Sequence, residues 1–174
     1  MELDLFMPSS RVLEAIAWDK KAHRQYTTFP ADTPEVGLAS YTGLSDQEIR
    51  NFYNHQFKIE LYPEENAIIP YRHVIAVFWE ALVNSQKHGS KKGTPFTHAL
   101  FLARKGICQG FRDGGEYFQD ARIKKQFESK TPITEFDQET ENCFRIGVND
   151  HIYPFSDIIE VDDNKGILYC ARLF

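Results

Sequence analysis

The stretch from Pro70 to Gly89 constrains the fold most, because it is one unbroken helical repeat with a start and a stop. Proline suits the first turn of a helix, where its missing N–H is not needed, and glycine suits the residue just past the end. At 100° per residue, Val74, Phe78, Ala81, Leu82 and Ser85 lie within about 100° of one another. A stripe of that kind must be buried against a second layer. The helix is expected to run to His88.

The flanking segments supply that layer. Phe57, Ile59 and Leu61 alternate with polar residues and read as a strand ended by Pro63. Phe96–Ala103 and Ile107–Arg112 read as two further strands joined at Arg104-Lys105-Gly106, and Asp113-Gly114-Gly115 breaks the second. Phe118–Ser129 suits a helix before Pro132, and residues 131–145 form a polar connection. Gly147–Asp157 stays open, because Pro154 interrupts any helix there. Asp162–Gly166 is a turn, and Ile167–Phe174 closes the chain as a strand. Towards the N-terminus, a helix is expected from Pro8-Ser9-Ser10 to about Lys21, then an extended loop over Thr27–Gly43. Ser45 with Glu48 forms a capping box that opens a short helix carrying Ile49, Phe52 and Tyr53. The expected fold is α+β, a two-layer α/β sandwich whose mixed or mostly antiparallel sheet is covered by helices. Residues 1–55 form an N-terminal helical extension, and 56–174 form the principal domain.

Composition excludes several classes. The chain has 174 residues, 42% of them apolar and 14 of them Phe, which is not the make-up of a disordered polymer. A net charge of −5 argues against broad nucleic-acid binding. No stretch approaches the roughly 18 apolar residues of a membrane helix. Cys108, Cys143 and Cys170 are few, distant and without a CxxC pair, so a cytoplasmic location is expected.

Glu80 and Asn84 lie off the apolar stripe and four residues apart, so their side chains stand one helical turn from each other. A carboxylate in such a pair can orient or deprotonate a water or hydroxyl, and a carboxamide oxygen can ligate a hard cation. By spacing alone, a solvated polar face accounts for the same two residues. The segment Glu80-Ala81-Leu82-Val83-Asn84-Ser85-Gln86-Lys87-His88-Gly89 resembles the N-box of the GHKL (Bergerat-fold) ATPase superfamily. Its E-A-x-x-N-x-x-x-H-G form is most similar to the anti-sigma-factor serine kinases and to histidine-kinase-like ATPase domains. A second segment, Asp113-Gly114-Gly115-Glu116-Tyr117-Phe118, is similar to that superfamily's D-x-G-x-G-F box and likewise follows a hairpin.

The resemblance covers residues 56–174 and implies a site. Glu80 would be the catalytic base and Asn84 the Mg²⁺ ligand, with His88 and Gly89 at the mouth of the nucleotide pocket. Asp113 would accept from the adenine amino group, Gly115 would let the backbone approach the base, and Phe118 would pack beneath the pocket. Tyr117 departs from the pattern, standing where a second glycine is usual. Gly147 is the single glycine in the place of a glycine-rich phosphate loop. The implied function is ATP binding with Mg²⁺, leading either to hydrolysis or to phosphate transfer onto a regulatory protein partner. The alternative is a degenerate, non-catalytic fold that acts as an interaction module. A homodimer is compatible with either, and neither a nucleic-acid nor a membrane partner is implied.

Overall fold

A computed structural model describes residues 5–30, 32–33, 45–58, 69–85, 95–134 and 146–174. Four helices and five strands occur among them. They are α1 (Ser10–Ala15), β1 (His23–Phe29), α2 (Asp46–Phe57), α3 (Ile69–Asn84), β2 (Phe96–Ala103), β3 (Gly106–Arg112), α4 (Ala121–Glu128), β4 (Ile158–Asp162) and β5 (Ile167–Leu173). A 3₁₀ turn spans Tyr117–Gln119, and a π-helical turn spans Val148–Ile152. The strands form one antiparallel sheet in the order β1-β2-β3-β5-β4. The fold is therefore α+β, with helices stacked on an open antiparallel sheet.

Alternation along each strand sends one set of side chains to each face. On the helix-covered face, Phe96, Phe111, Leu168, Cys170, Ile159 and Val161 pack against Val77, Phe78, Ala81 and Leu82 of α3 and Phe127 of α4. Leu100, Leu102 and Ile107 continue that face under Ile49 and Tyr53 of α2 and Val74 of α3. On the reverse face, Ala99, Phe101, Cys108, Tyr169 and Ala171 meet Phe6, Val12 and Ile16 from the N-terminal segment. Burial on both faces explains why β2 reads as an almost continuous apolar run. Cys108 and Cys170 are both buried and free, whereas Cys143 lies outside the described residues. No helix among the described residues is long and apolar enough to cross a membrane.

Residues 5–29 contribute more than the expected helical extension. His23–Phe29 pairs along its whole length with β2, from His23 opposite Leu102 to Phe29 opposite Phe96. Thr27, Thr28 and Phe29, expected in a loop, are strand. Ser9 caps α1 as its sequence suggests, but the helix stops at Ala15 rather than Lys21. The chain turns at Ala17, which has a positive φ, and the Ile16 carbonyl accepts from Lys105 N of the β2–β3 turn. The capping box at Ser45 and Glu48 forms as read, and bonds from Ser45 N and Ser45 Oγ lower the Glu48 carboxyl below its ordinary range. The strand expected from Phe57 is not seen there. Phe57 is the last residue of α2 and Lys58 caps it in the left-handed region, while Ile59 and Leu61 lie outside the described residues. Ile158–Asp162 is strand β4, and its side chains alternate between core and surface.

A buried polar bridge ties α3 to the sheet. Gln109 donates from Nε2 to the Val74 carbonyl at 2.9 Å, which turns its oxygen towards His98 Nε2 at 3.0 Å. An amide oxygen only accepts, so His98 is the neutral tautomer with its proton on Nε2. Burial depresses the His98 imidazole from 6.5 to about 4, and the Gln109 bond offsets part of that. The unfolded imidazole gains its proton at higher pH than the folded one. Stability is therefore complete above about pH 6.5 and lost as the pH falls towards 4. The loss should reach on the order of 3 kcal/mol. His98→Asn keeps a polar partner for Gln109 but does not titrate. Urea midpoints measured down this pH range should fall for the unmutated chain more steeply than for the variant. Parallel profiles would show that His98 is not buried as a neutral ring.

Candidate functional site

The apolar stripe of α3 lies on the sheet, which leaves Glu80 and Asn84 to face a different neighbour. That neighbour is the turn Val148–Ile152. Val148 and Ile152 are 0% and 1% exposed and plug into the core beside Ala81 and Leu82. Asn149 ties the same turn to the exit of α4, accepting from Ile133 N and donating to Ile133 O, each at 3.1 Å. These anchors hold Gly147 directly against α3. A Cβ built on Gly147 would lie 2.0 Å from Glu80 Oε2 and 3.5 Å from Asn84 Nδ2. Gly147 has ordinary helical angles, φ −58° and ψ −44°, so the missing side chain matters here and not an unusual backbone.

Three of the residues singled out in the sequence thus converge. Glu80 keeps 22% of its side chain exposed, and His151 Nδ1 lies 3.3 Å from its Oε1. Asn84 is 8% exposed, and its Nδ2 is shielded from solvent without a hydrogen-bond partner among the described residues. His88 and Gly89 lie outside the described residues. Among the described residues, no group of three or more His, Cys, Asp or Glu could hold a metal ion. A divalent cation here would need ligands from something bound with it.

The second group forms at the end of β3. Asp113 is buried and accepts from Gly115 N at 2.8 Å. Burial raises its carboxyl above the ordinary aspartate range, and the Gly115 N–H holds it partly down. The positive φ of this turn falls on Gly114 and not on Gly115. Phe118 and Tyr117 both pack towards Phe127, with ring centroids 5.3 and 6.2 Å away. Tyr117 therefore covers the core beside Phe127, and burial raises its hydroxyl. Both groups border the same hydrophobic cluster, one from α3 and the π-turn, the other from the loop after β3.

Three basic residues in and just after α4 have partners. Lys124 pairs with Asp163 at 3.0 Å, Arg122 pairs with Asp120 at 2.8 Å, and Lys130 donates to the Ser156 carbonyl. His151 and Asn149 are the site-building residues that the sequence did not single out. The available signal was the separation of Gly147 and His151, four residues, which puts them on one side of a helical turn. Pro154 obscured it by making the whole segment ambiguous.

No family model matches the chain, and no curated protein is significantly similar to it.

The close fit of Gly147 against Glu80 is testable by a double-mutant cycle. Gly147→Ala alone sets the helix preference for alanine, about 0.5–1 kcal/mol, against displacement of the Glu80 carboxylate. In a Glu80→Ala background the obstacle is gone, and the same change should stabilise by that full amount. Thermal midpoints of the four proteins give the coupling. An identical effect of Gly147→Ala in both backgrounds would mean that the two residues do not touch.

Proposed function

We propose that the chain binds an adenine nucleotide with Mg²⁺ on the surface built by Glu80, Asn84 and Gly147, in the manner of the GHKL ATPases. The observation that carries this reading is Asn84 Nδ2, shielded from solvent beside Gly147 and without a hydrogen-bond partner among the described residues. A buried polar group without a partner costs about 1–3 kcal/mol, which a bound ligand can offset. The carboxamide can donate to a phosphate oxygen or, rotated, present its oxygen to the cation. Mg²⁺ commonly binds through one or two protein oxygens, phosphates and waters, so Asn84 suffices as the side-chain ligand. When bound, the ion neutralises charge on the phosphate oxygens. Glu80 orients or deprotonates the attacking water, or the hydroxyl of a regulatory protein partner. Asp113 holds Gly115 N with one oxygen and uses the other to accept from the adenine amino group.

A second reading, a non-catalytic fold that serves as an interaction module, has its own support. Gly147 presses on Glu80 without intervening space, and Tyr117 fills the region beside Phe127. Titration calorimetry with ATP, ADP and GTP, with and without Mg²⁺, separates the two readings. ATP should bind, GTP poorly, and Mg²⁺ should strengthen binding in the unmutated chain but not in Asn84→Ala. Asp113→Asn keeps the oxygen that Gly115 N uses, so the fold should survive while ATP affinity falls by about 1–3 kcal/mol. Absence of binding, or equal binding of ATP and GTP, would favour the interaction module.

A further inference from the structure

The Glu80 carboxylate is met by an imidazole to which the nucleotide reading gives no role. His151 Nδ1 is shielded from solvent, makes no hydrogen bond among the described residues, and lies 3.3 Å from Glu80 Oε1. The rest of the ring is open, with 40% of the side chain exposed. The backbone that carries it is fixed. Val148 and Ile152 are buried on either side, Asn149 is bonded twice to Ile133, and Tyr153 N closes the turn onto the Val148 carbonyl at 2.9 Å. That last bond spans five residues, a wide turn of the kind that recurs at functional sites. Gly147 confines the other carboxylate oxygen, since any side chain there would collide with Oε2. One oxygen is thus bounded by the imidazole and the other by a glycine backbone.

We infer that His151 is a positioning residue for Glu80: its Nδ1 stands 3.3 Å from Oε1, and a small turn of the ring brings an Nδ1 proton onto that oxygen and holds the carboxylate in one orientation beside Asn84. A pair as exposed as this adds little stability, so its effect is on direction and not on folding. The acceptor on the Nδ1 side selects the tautomer of the neutral ring. The consequence for turnover rests on the reading of Glu80 as a base; the contact itself does not.

Nitrogen-resolved NMR of the full, ligand-free chain, at a pH where the ring is neutral, reads the tautomer. His151 should carry its proton on Nδ1 in the unmutated chain and shift towards the Nε2-protonated form in Glu80→Ala. Nε2 protonation in the unmutated chain, or the same tautomer in both proteins, would overturn the inference. Turnover of Mg-ATP supplies the second measurement. His151→Ala should lower it by roughly 10–100-fold, the range for loss of an orienting partner, with nucleotide affinity unchanged. His151→Asn, whose amide can donate from near the Nδ1 position, should restore most of it. Loss of affinity in step with turnover, or no rescue by asparagine, would also overturn it. An unmutated chain that shows no turnover counts against the catalytic reading alone, and the tautomer still decides the contact.

Discussion

The bond from Gln109 to the Val74 carbonyl fixes how α3 lies on the sheet, and the rest of the site follows from that placement. Apolar contacts between helix and sheet are non-directional and tolerate sliding. A hydrogen bond from one strand position to one helix carbonyl does not. Once Val74 is pinned, Glu80 lies about 9 Å further along the helix axis and Asn84 about 15 Å. Both positions are then set relative to the strands that carry the core. His98 completes the bridge as a neutral ring between Phe78 and Phe111. Burial would strip a charged ring in that place of its hydration.

The second determinant is the π-turn, which decides what Glu80 and Asn84 face. Without it, the off-stripe side of α3 would be an ordinary solvated surface. With Val148 and Ile152 buried and Asn149 bonded to Ile133, the turn becomes a rigid wall against that side. The carboxylate is then bounded by Gly147 and His151, and the carboxamide loses solvent on its nitrogen. Two residues that are unremarkable on a helix become a candidate site because a segment more than sixty positions later packs onto them.

Elements with strong local signals were legible before the fold was known. The apolar spacing of α3, the Ser45–Glu48 box of α2 and the β2–β3 hairpin all form where the residues indicate. Local signals failed where a distant partner decided the outcome. His23–Phe29 has little apolar alternation of its own and becomes a strand because β2 offers an edge. α1 ends early because the Ile16 carbonyl is taken by Lys105. Residues 131–145 read as a polar connection, yet Ile133 near its start is buried and bonded to Asn149.

The sequence by itself determined the helix that presents Glu80 and Asn84, the turn that locks Asp113 to Gly115, and the alternation that builds a sheet. Each depends on spacing within a few residues, where backbone geometry dictates which side chains share a face. Only the tertiary structure decided that Gly147 lies against Glu80, that Asn84 is buried, and that His151 faces the carboxylate. Those juxtapositions come from packing between segments far apart in the chain. Helical or strand periodicity states which face must be covered, but it carries no information about which segment will cover it.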